Sequence, residues 1–370
     1  MNIVIDARLI HETGVGRYIR NLIANLSSID SHNRYIVILM ARDYDEFKLP
    51  NSRWEKRKTT VHWHTISEQI IMPWILWKEH ADMVHIPYFN VPIFYPGKFV
   101  TTIHDLTILH VHTGKASTLP YWKYILRKIG YLLILWTAIH RAAKVITVSY
   151  TVKKDILSHF RITEHRVAVT YEGIDDSFLQ LGKSDKTTRP VNTKYFLYVG
   201  NVYPHKNVEV LLEAFRLLST KHASGITLLF VGPKDYFYSR LGVLITSLSM
   251  NDSVQIRHAV SDEELGVLYR HAEALIFPSR MEGFGLPALE ALSYGCPVIA
   301  SDIPVFHEIL GTYAYFTDTT KPEALSRTMN EVLHGTVHNG LEKKPPVSFL
   351  RKFSWDNMAR LTLQIYQSCA

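Results

Sequence analysis

FPSRMEGFGLPALEALSYGCP, residues Phe277–Pro297, reads as the end of a strand, a loop and a helix in succession. Ala274–Phe277 is a short apolar run suited to a buried strand. Pro278–Leu286 is loop chemistry, and Pro287 is placed as a first helical residue. There its missing N–H costs nothing and its ring presets φ. Ala288, Leu289, Ala291 and Leu292 then give an apolar helical face, and Gly295 ends the helix.

A helix N-terminus offers unpaired N–H groups and the positive end of a dipole, a natural seat for a phosphate. Gly283 and Gly285 keep the backbone bare, so an anion can approach the Phe284 and Gly285 amides closely. Two carboxylates flank the seat, Glu282 in the loop and Glu290 inside the helix. A carboxylate accepts from hydroxyls rather than binding phosphate. Acids on both sides of a diphosphate cradle therefore suit a molecule with hydroxylated rings at each end, as in a nucleotide sugar.

Glu282 and Glu290, separated by seven residues around GFGLPALE, resemble the E-x7-E signature of the retaining glycosyltransferases of family 4. The likeness continues through SDEELGVLYRHAEALIFPS (261–279) and GCPVIASDIPVFHEI (295–309). It implies a GT-B fold: an α/β chain of two Rossmann-like doubly wound domains facing across a cleft.

At 370 residues the chain suits two domains, each with its own core. A composition of 47% apolar and 20% charged residues excludes a disordered chain or a bundle of membrane helices. The net charge of +7 fits nucleic acid, an anionic membrane or phosphorylated substrates. No nucleic-acid module is read. Two cysteines, Cys296 and Cys369, make no disulfide framework and suit a reducing compartment. The chain opens on a strand, MNIVIDARL, without the pattern of a signal peptide. The longest apolar run, Ile129–Ile139, is too short to span a bilayer. The expectation is a cytoplasmic protein, with peripheral attachment to the inner face of the membrane left open.

Strand-like runs at Ile3–Ile5, Tyr35–Met40, Val61–Ile66, Met83–Ile86, Phe99–Ile103, Val145–Val148 and Val167–Val169 alternate with helical patterns, which predicts a parallel sheet. A second alternation has strands at Tyr195–Val199, Thr227–Val231, Val254–Ile256, Ala274–Phe277 and Pro297–Ala300 and a helix at Asn207–Leu218. The predicted organisation is a domain at 1–182, a polar linker at 183–193, a nucleotide-sugar domain at 194–350, and a segment 351–370. Within the last, Ser354 caps a helix Trp355–Gln367 that, by the resemblance, returns to the first domain.

Further motifs fit this frame. Thr13–Tyr18 (TGVGRY) precedes the amphipathic helix Arg17–Leu26, where Gly14 and Gly16 let an anion approach and Arg17 adds charge. It lacks the third glycine of a dinucleotide fingerprint. His104-Asp105 ends an apolar strand, where α/β folds place their sites, and resembles the family's HD(L) element. Gly200–Asn207 (GNVYPHKN) resembles the family's diphosphate grip: Lys206 matches its lysine, but Asn201 stands where the family usually carries an arginine. His205 or Arg280 is a candidate to replace that cation. Glu172-Gly173-Ile174-Asp175 resembles the turn after the first domain's last strand, and Glu308 matches a family glutamate. Ser149 with Lys153, Lys154 and Asp155 opens a helix in a way that resembles the family and equally fits an ordinary capped, solvated helix start. Asp43-Tyr44-Asp45 mimics the metal-binding D-x-D of the other glycosyltransferase architecture, yet it follows only the second strand. Tyr121–Lys144 mixes Trp122, Tyr124, Tyr131 and Trp136 with Lys123, Arg127, Lys128, Arg141 and Lys144, a pattern shared by core helices and helices that lie on anionic membranes.

The resemblance thus implies a hexosyltransferase using a nucleoside-diphosphate sugar as co-substrate, with no cofactor or metal. A glycan or lipid-linked saccharide would accept the hexose in surface polysaccharide synthesis. The general look of the chain is similar to bacterial mannosyltransferases, which favours mannose from GDP-mannose. His104, Glu282 and Lys206 are its catalytic candidates. Gly14, Gly16, Arg17, Asn201, His205, Lys206, Phe284, Gly285, Leu286 and Glu290 are its donor-binding candidates. A phosphorylase or synthase of the same fold, a metal-dependent transferase and a non-catalytic nucleotide-sugar-binding subunit are the alternatives.

Overall fold

The computed structural model describes residues 1–110, 121–174, 193–221, 225–336 and 345–369. They form two compact units. The first holds residues 1–106, 121–173 and 353–369; the second holds 107–110, 174, 193–221, 225–336 and 345–352. Apart from Thr193, the segment 183–193 lies outside the described residues, as does Asp175.

In the first unit β1 (Asn2–Asp6), β2 (Arg34–Met40), β3 (Trp54–Thr59), β4 (Met83–Ile86), β5 (Phe99–Ile103), β6 (Lys144–Thr147) and β7 (Val167–Val169) form one parallel sheet. Its order is β3-β2-β1-β4-β5-β6-β7, so the winding reverses between β1 and β4. The second unit repeats the plan with β8 (Lys194–Val199), β9 (Ile226–Val231), β10 (Val254–Arg257), β11 (Ala274–Phe277), β12 (Val298–Ser301) and β13 (Tyr315–Thr317). The order β10-β9-β8-β11-β12-β13 reverses between β8 and β11, which pair Phe196 with Ala274 and Leu197 with Leu275. Helices cover these sheets, so central strands such as Ile3–Ile5 and Phe196–Tyr198 are completely buried and read as unbroken apolar runs.

The third strand is not Val61–Ile66. That segment is loop, Val61 O accepts from Arg8, and Thr65 caps a helix Ile66–Lys78 by accepting from Glu68 N–H. The strand is WEKRKT at 54–59, an edge strand whose exposed side chains are polar. Arg8 joins this region to β1: its guanidinium is buried, bidentate on Asp6 at 2.8 and 2.7 Å, and 2.6 Å from Glu68 Oε1. Burial pushes the Glu68 carboxyl up, against the pull of Arg8.

The helix Trp355–Cys369 packs in the first unit against the helix Thr13–Ile29. Tyr366 Oη meets His85 Nδ1 at 2.6 Å, and Lys98 donates to the Cys369 carbonyl at 2.6 Å. Gly173 lets the entering strand of this segment approach. A Cβ there would stand 2.2 Å from Trp355 N and 2.6 Å from Ser354 C, both backbone atoms.

Two outcomes are expected. Gly173→Ala forces the backbone at 354–355 away and should lower the urea midpoint of the first unit by an amount equivalent to about 1–3 kcal/mol. Burial holds the His64 imidazole down at about 4 and that of His85 at about 3. The unfolded chain takes up those protons near pH 6.5. Stability should therefore fall as pH falls from about 6.5 towards 4. His64→Asn, which tolerates the φ of 61° at this position, should flatten that slope in unfolding curves run across the window.

Candidate active site

In an open parallel sheet a ligand site forms beyond the carboxyl ends of the strands where the winding reverses. In the second unit those ends are Val199 on β8 and Phe277 on β11, and the loops that leave them are GNVYPHKN and PSRMEGFG. The two loops are laced together. Lys206 Nζ lies 2.5 Å from Glu282 Oε1, and Ser279 Oγ donates to the same oxygen at 2.8 Å. Arg280 N–H donates to the His205 carbonyl at 2.8 Å, and Arg280 Nε donates to Asn207 Oδ1 at 3.0 Å. Asn207 closes its loop in the left-handed region at φ 59°, with Nδ2 donating to Thr319 O at 2.8 Å.

The Lys206–Glu282 pair is mostly buried, with side-chain exposures of 14% and 12%. It therefore presents adjacent opposite charges at low dielectric, where each favours a polar ligand group. A phosphate oxygen would take the ammonium and a sugar hydroxyl would donate to the carboxylate. The sequence suggests separate roles for the two residues; the fold brings them into contact.

The remaining candidates divide. Gly285 opens the helix Leu286–Ser293 at φ 102°, and a Cβ there would meet Phe306 at 3.0 Å and Phe277 at 3.2 Å. Leu286, not Pro287, is the first helical residue, and Phe284 is buried beside it. Glu290, at 1% exposure, accepts from Tyr269 Oη at 3.1 Å. Asn201 is held through its backbone: Tyr198 Oη donates to its carbonyl, and Tyr238 Oη donates to the Gly200 carbonyl at 2.7 Å. Burial keeps both phenols well above their ordinary range, and so neutral donors. The Asn201 Oδ1 atom is buried without a hydrogen-bond partner. His205 is half-buried with its ring against Tyr203. Arg280 is exposed, and with Nε engaged its remaining donors are the two Nη groups of the fork.

In the first unit His104 follows β5. Its Nε2 meets the Pro87 carbonyl at 3.1 Å and its Nδ1 meets Glu172 Oε1 at 3.1 Å. A carbonyl can only accept, so Nε2 carries a hydrogen. Tyr18 packs edge-on to the ring at 5.0 Å, and its hydroxyl lies 3.1 Å from Thr102 Oγ1. The TGVGRY motif thus delivers Tyr18 to His104. Its helix starts at Thr13, four residues earlier than the amphipathic pattern indicated. Gly16 has a packing reason of its own: its N–H donates to Glu12 O, and a Cβ would meet Ile10 O at 2.5 Å. Gly14 is exposed with open space around it, and Arg17 is half-buried. In the D-x-D triplet, Asp43 is buried beside Arg42, 3.4 Å away, and His11, 3.7 Å away, whereas Asp45 is exposed.

Two family models match this chain: Glycosyltransferase Family 4 over residues 13–178 and Glycosyl transferases group 1 over residues 182–344. The chain belongs to family 4 of the glycosyltransferases. Among curated proteins it is similar to the O-antigen chain mannosyltransferase RfbU of Salmonella typhimurium, 29% identical over 70% of this chain and 70% of that one. It is also 26% identical to O-antigen chain mannosyltransferase B of Escherichia coli, over 80% of this chain and 76% of the relative. Among solved structures, Anabaena HepE in complex with UDP and glucose superposes with a TM-score of 0.74 at 15% identity, covering 100% of both chains. That likeness is one of fold, and the fold is GT-B. In this glycosyltransferase Lys206 and Asn201 stand in the loop that leaves β8.

Sequence reading had passed over Glu172 as part of a turn, and Tyr269 and Ser279 altogether. Their signal is spatial, a hydroxyl or carboxylate reaching a candidate from another element. If Glu172 acts by holding His104, the two residues form one unit in a double-mutant cycle. His104→Ala with Glu172→Ala should turn over no slower than His104→Ala alone, and additive losses would show that Glu172 acts elsewhere.

Proposed function

We propose that this glycosyltransferase moves a mannosyl residue from GDP-mannose to an acceptor hydroxyl of a surface polysaccharide, on a glycan or lipid-linked saccharide, with retention at the anomeric carbon. The two O-antigen mannosyltransferases among its relatives support the sugar and the pathway class. The observation that carries the chemistry is the Lys206–Glu282 contact between the loops leaving β8 and β11.

In this reading the bond from the anomeric carbon to the diphosphate oxygen breaks as the acceptor oxygen bonds the same face of the sugar. The acceptor's proton passes to the departing phosphate. Lys206 stabilises the charge that develops on the leaving group. Arg280 supplies the second cation that Asn201 does not, because Asn207 anchors its Nε and leaves the fork on the exposed side. Glu282 accepts from the sugar hydroxyls. Glu290 orients the ribose, braced by Tyr269, and the Phe284–Leu286 backbone faces the diphosphate. In the first unit His104, fixed by Pro87 and Glu172, is the catalytic candidate of that unit. The donor is a co-substrate, and no metal or cofactor is given a step. Attachment to the inner face of the cytoplasmic membrane fits a lipid-linked acceptor.

The test is a thermal-shift panel with GDP, UDP, ADP and their sugars, with magnesium and with chelator. At a hundredfold excess over Kd the right nucleotide should stabilise by about 2.7 kcal/mol. Guanosine nucleotides should stabilise the chain equally with chelator, and Arg280→Ala should weaken that binding by about tenfold to a hundredfold. Stabilisation that needs the metal would overturn the metal-free reading. If no nucleotide stabilises the chain, the transferase reading of this site is lost.

A further inference from the structure

The first unit exposes a face of large apolar side chains that the described residues leave uncovered. On the helix Ile66–Lys78 the inner face, Met72 and Leu76, is completely buried. The outer face presents Ile66, Ile70, Trp74 and Trp77 to solvent at spacings of four, four and three residues, with Ile66 81% exposed. A helix apolar on both faces is expected where both are covered. The helix Tyr121–Arg141 repeats the pattern, burying Ile134, Leu135 and Ala138 and exposing Trp122, Leu126, Ile129, Leu133 and Trp136 along one stripe.

The two stripes belong to one surface. His64, two residues before the first helix, packs its ring on Tyr131 of the second at 5.0 Å. The loop between them is tied to both: Gln69 Oε1 accepts from Ile93 N–H at 2.8 Å, and Arg141 donates to the Ile93 and Tyr95 carbonyls. Phe94, 72% exposed, stands on that loop. Monomeric soluble proteins seldom leave so many contiguous large apolar side chains in water.

The charges on this face have one sign. The helix Tyr121–Arg141 carries Lys123, Arg127, Lys128 and Arg141 and no carboxylate. The one acid within the helix Ile66–Lys78, Glu68, is buried on Arg8, and Lys78 sits over the exposed Trp74 ring at 3.5 Å. Tryptophan rings among lysines and arginines match the boundary between acyl chains and anionic headgroups. No helix among the described residues is long and apolar enough to cross a membrane, so these helices would lie along a surface.

We infer that the outer faces of the helices Ile66–Lys78 and Tyr121–Arg141, with Phe94 between them, form a docking surface for an anionic lipid bilayer. The occupant is the bilayer rather than a second copy of the chain, because a twofold self-contact would set these cations against their own kind.

The experiment is flotation of the full chain with vesicles of phosphatidylcholine alone and of phosphatidylcholine with phosphatidylglycerol in equal parts. The chain should float with the anionic vesicles, with tryptophan emission shifted to the blue, and should stay behind with the neutral ones. Removing cations as Lys123→Ala with Arg127→Ala should weaken partitioning about fivefold per charge. Trp74→Ser with Trp77→Ser should weaken it about tenfold, at half the burial of a core side chain. Both variants should stay folded with a cooperative thermal transition, since the tryptophans are more than half exposed and Arg127 gives up only an exposed bond to Tyr131. Floating equally well in both variants, or in neither vesicle for the wild type, would overturn the inference. So would a wild-type dimer in sedimentation velocity that the tryptophan variant converts to monomer, which would make this face a contact between copies.

Discussion

Every strand of a parallel sheet ends at the same edge, and the loops leaving two neighbouring strands diverge only where the winding reverses. That constraint sets the plan of both units of this glycosyltransferase. Between β8 and β11 the loops diverge enough to form a site, yet stay near enough for Lys206 to reach Glu282 and for Arg280 to reach His205 and Asn207. The apolar strands behind them, buried on both faces, hold that spacing. The chemistry follows from the sheet order before it follows from any single residue.

The two units use the same edge differently. In the second, buried tyrosines hold the loop carbonyls at Gly200 and Asn201, and side chains of opposite charge meet between the two loops. In the first, the corresponding edge holds His104 in a fixed orientation, between a backbone carbonyl and Glu172, with Tyr18 behind it. Below it, Tyr18 and His85 share Thr102, and Tyr366 of the last helix completes the row. The C-terminal helix therefore belongs to the support of His104 as well as to the first unit's core.

Much of this was legible in the chain. Among the described residues the apolar runs mark eleven of the thirteen strands and miss two that lie at sheet edges: WEKRKT is polar on its outer side, and Tyr315–Thr317 is too short to show a period. The start of the helix at Thr13 was obscured because its first residues, TGVG, are poor helix formers held there by Gly16 against the Ile10 backbone. Gly285 of GFGLP is read from the sequence as bare backbone for an anion; the structure gives it a second reason, a positive φ and two phenylalanine rings that exclude a Cβ.

The sequence by itself determined the strand and helix periodicities and the loop chemistry of GFGLPALE and PHKN, since these depend on neighbours within a few residues. It also places Asn201 where the family resemblance implies an arginine. Only the tertiary structure decided that Lys206 and Glu282 form a pair, that Arg280 is anchored by Asn207, that Glu172 holds His104, and that Glu290 is bonded to Tyr269. It also decided that the apolar residues of two distant helices share one uncovered face. Hydrogen bonds and ion pairs act over about 3 Å, and residues tens of positions apart come within that range only once the sheet order has been set.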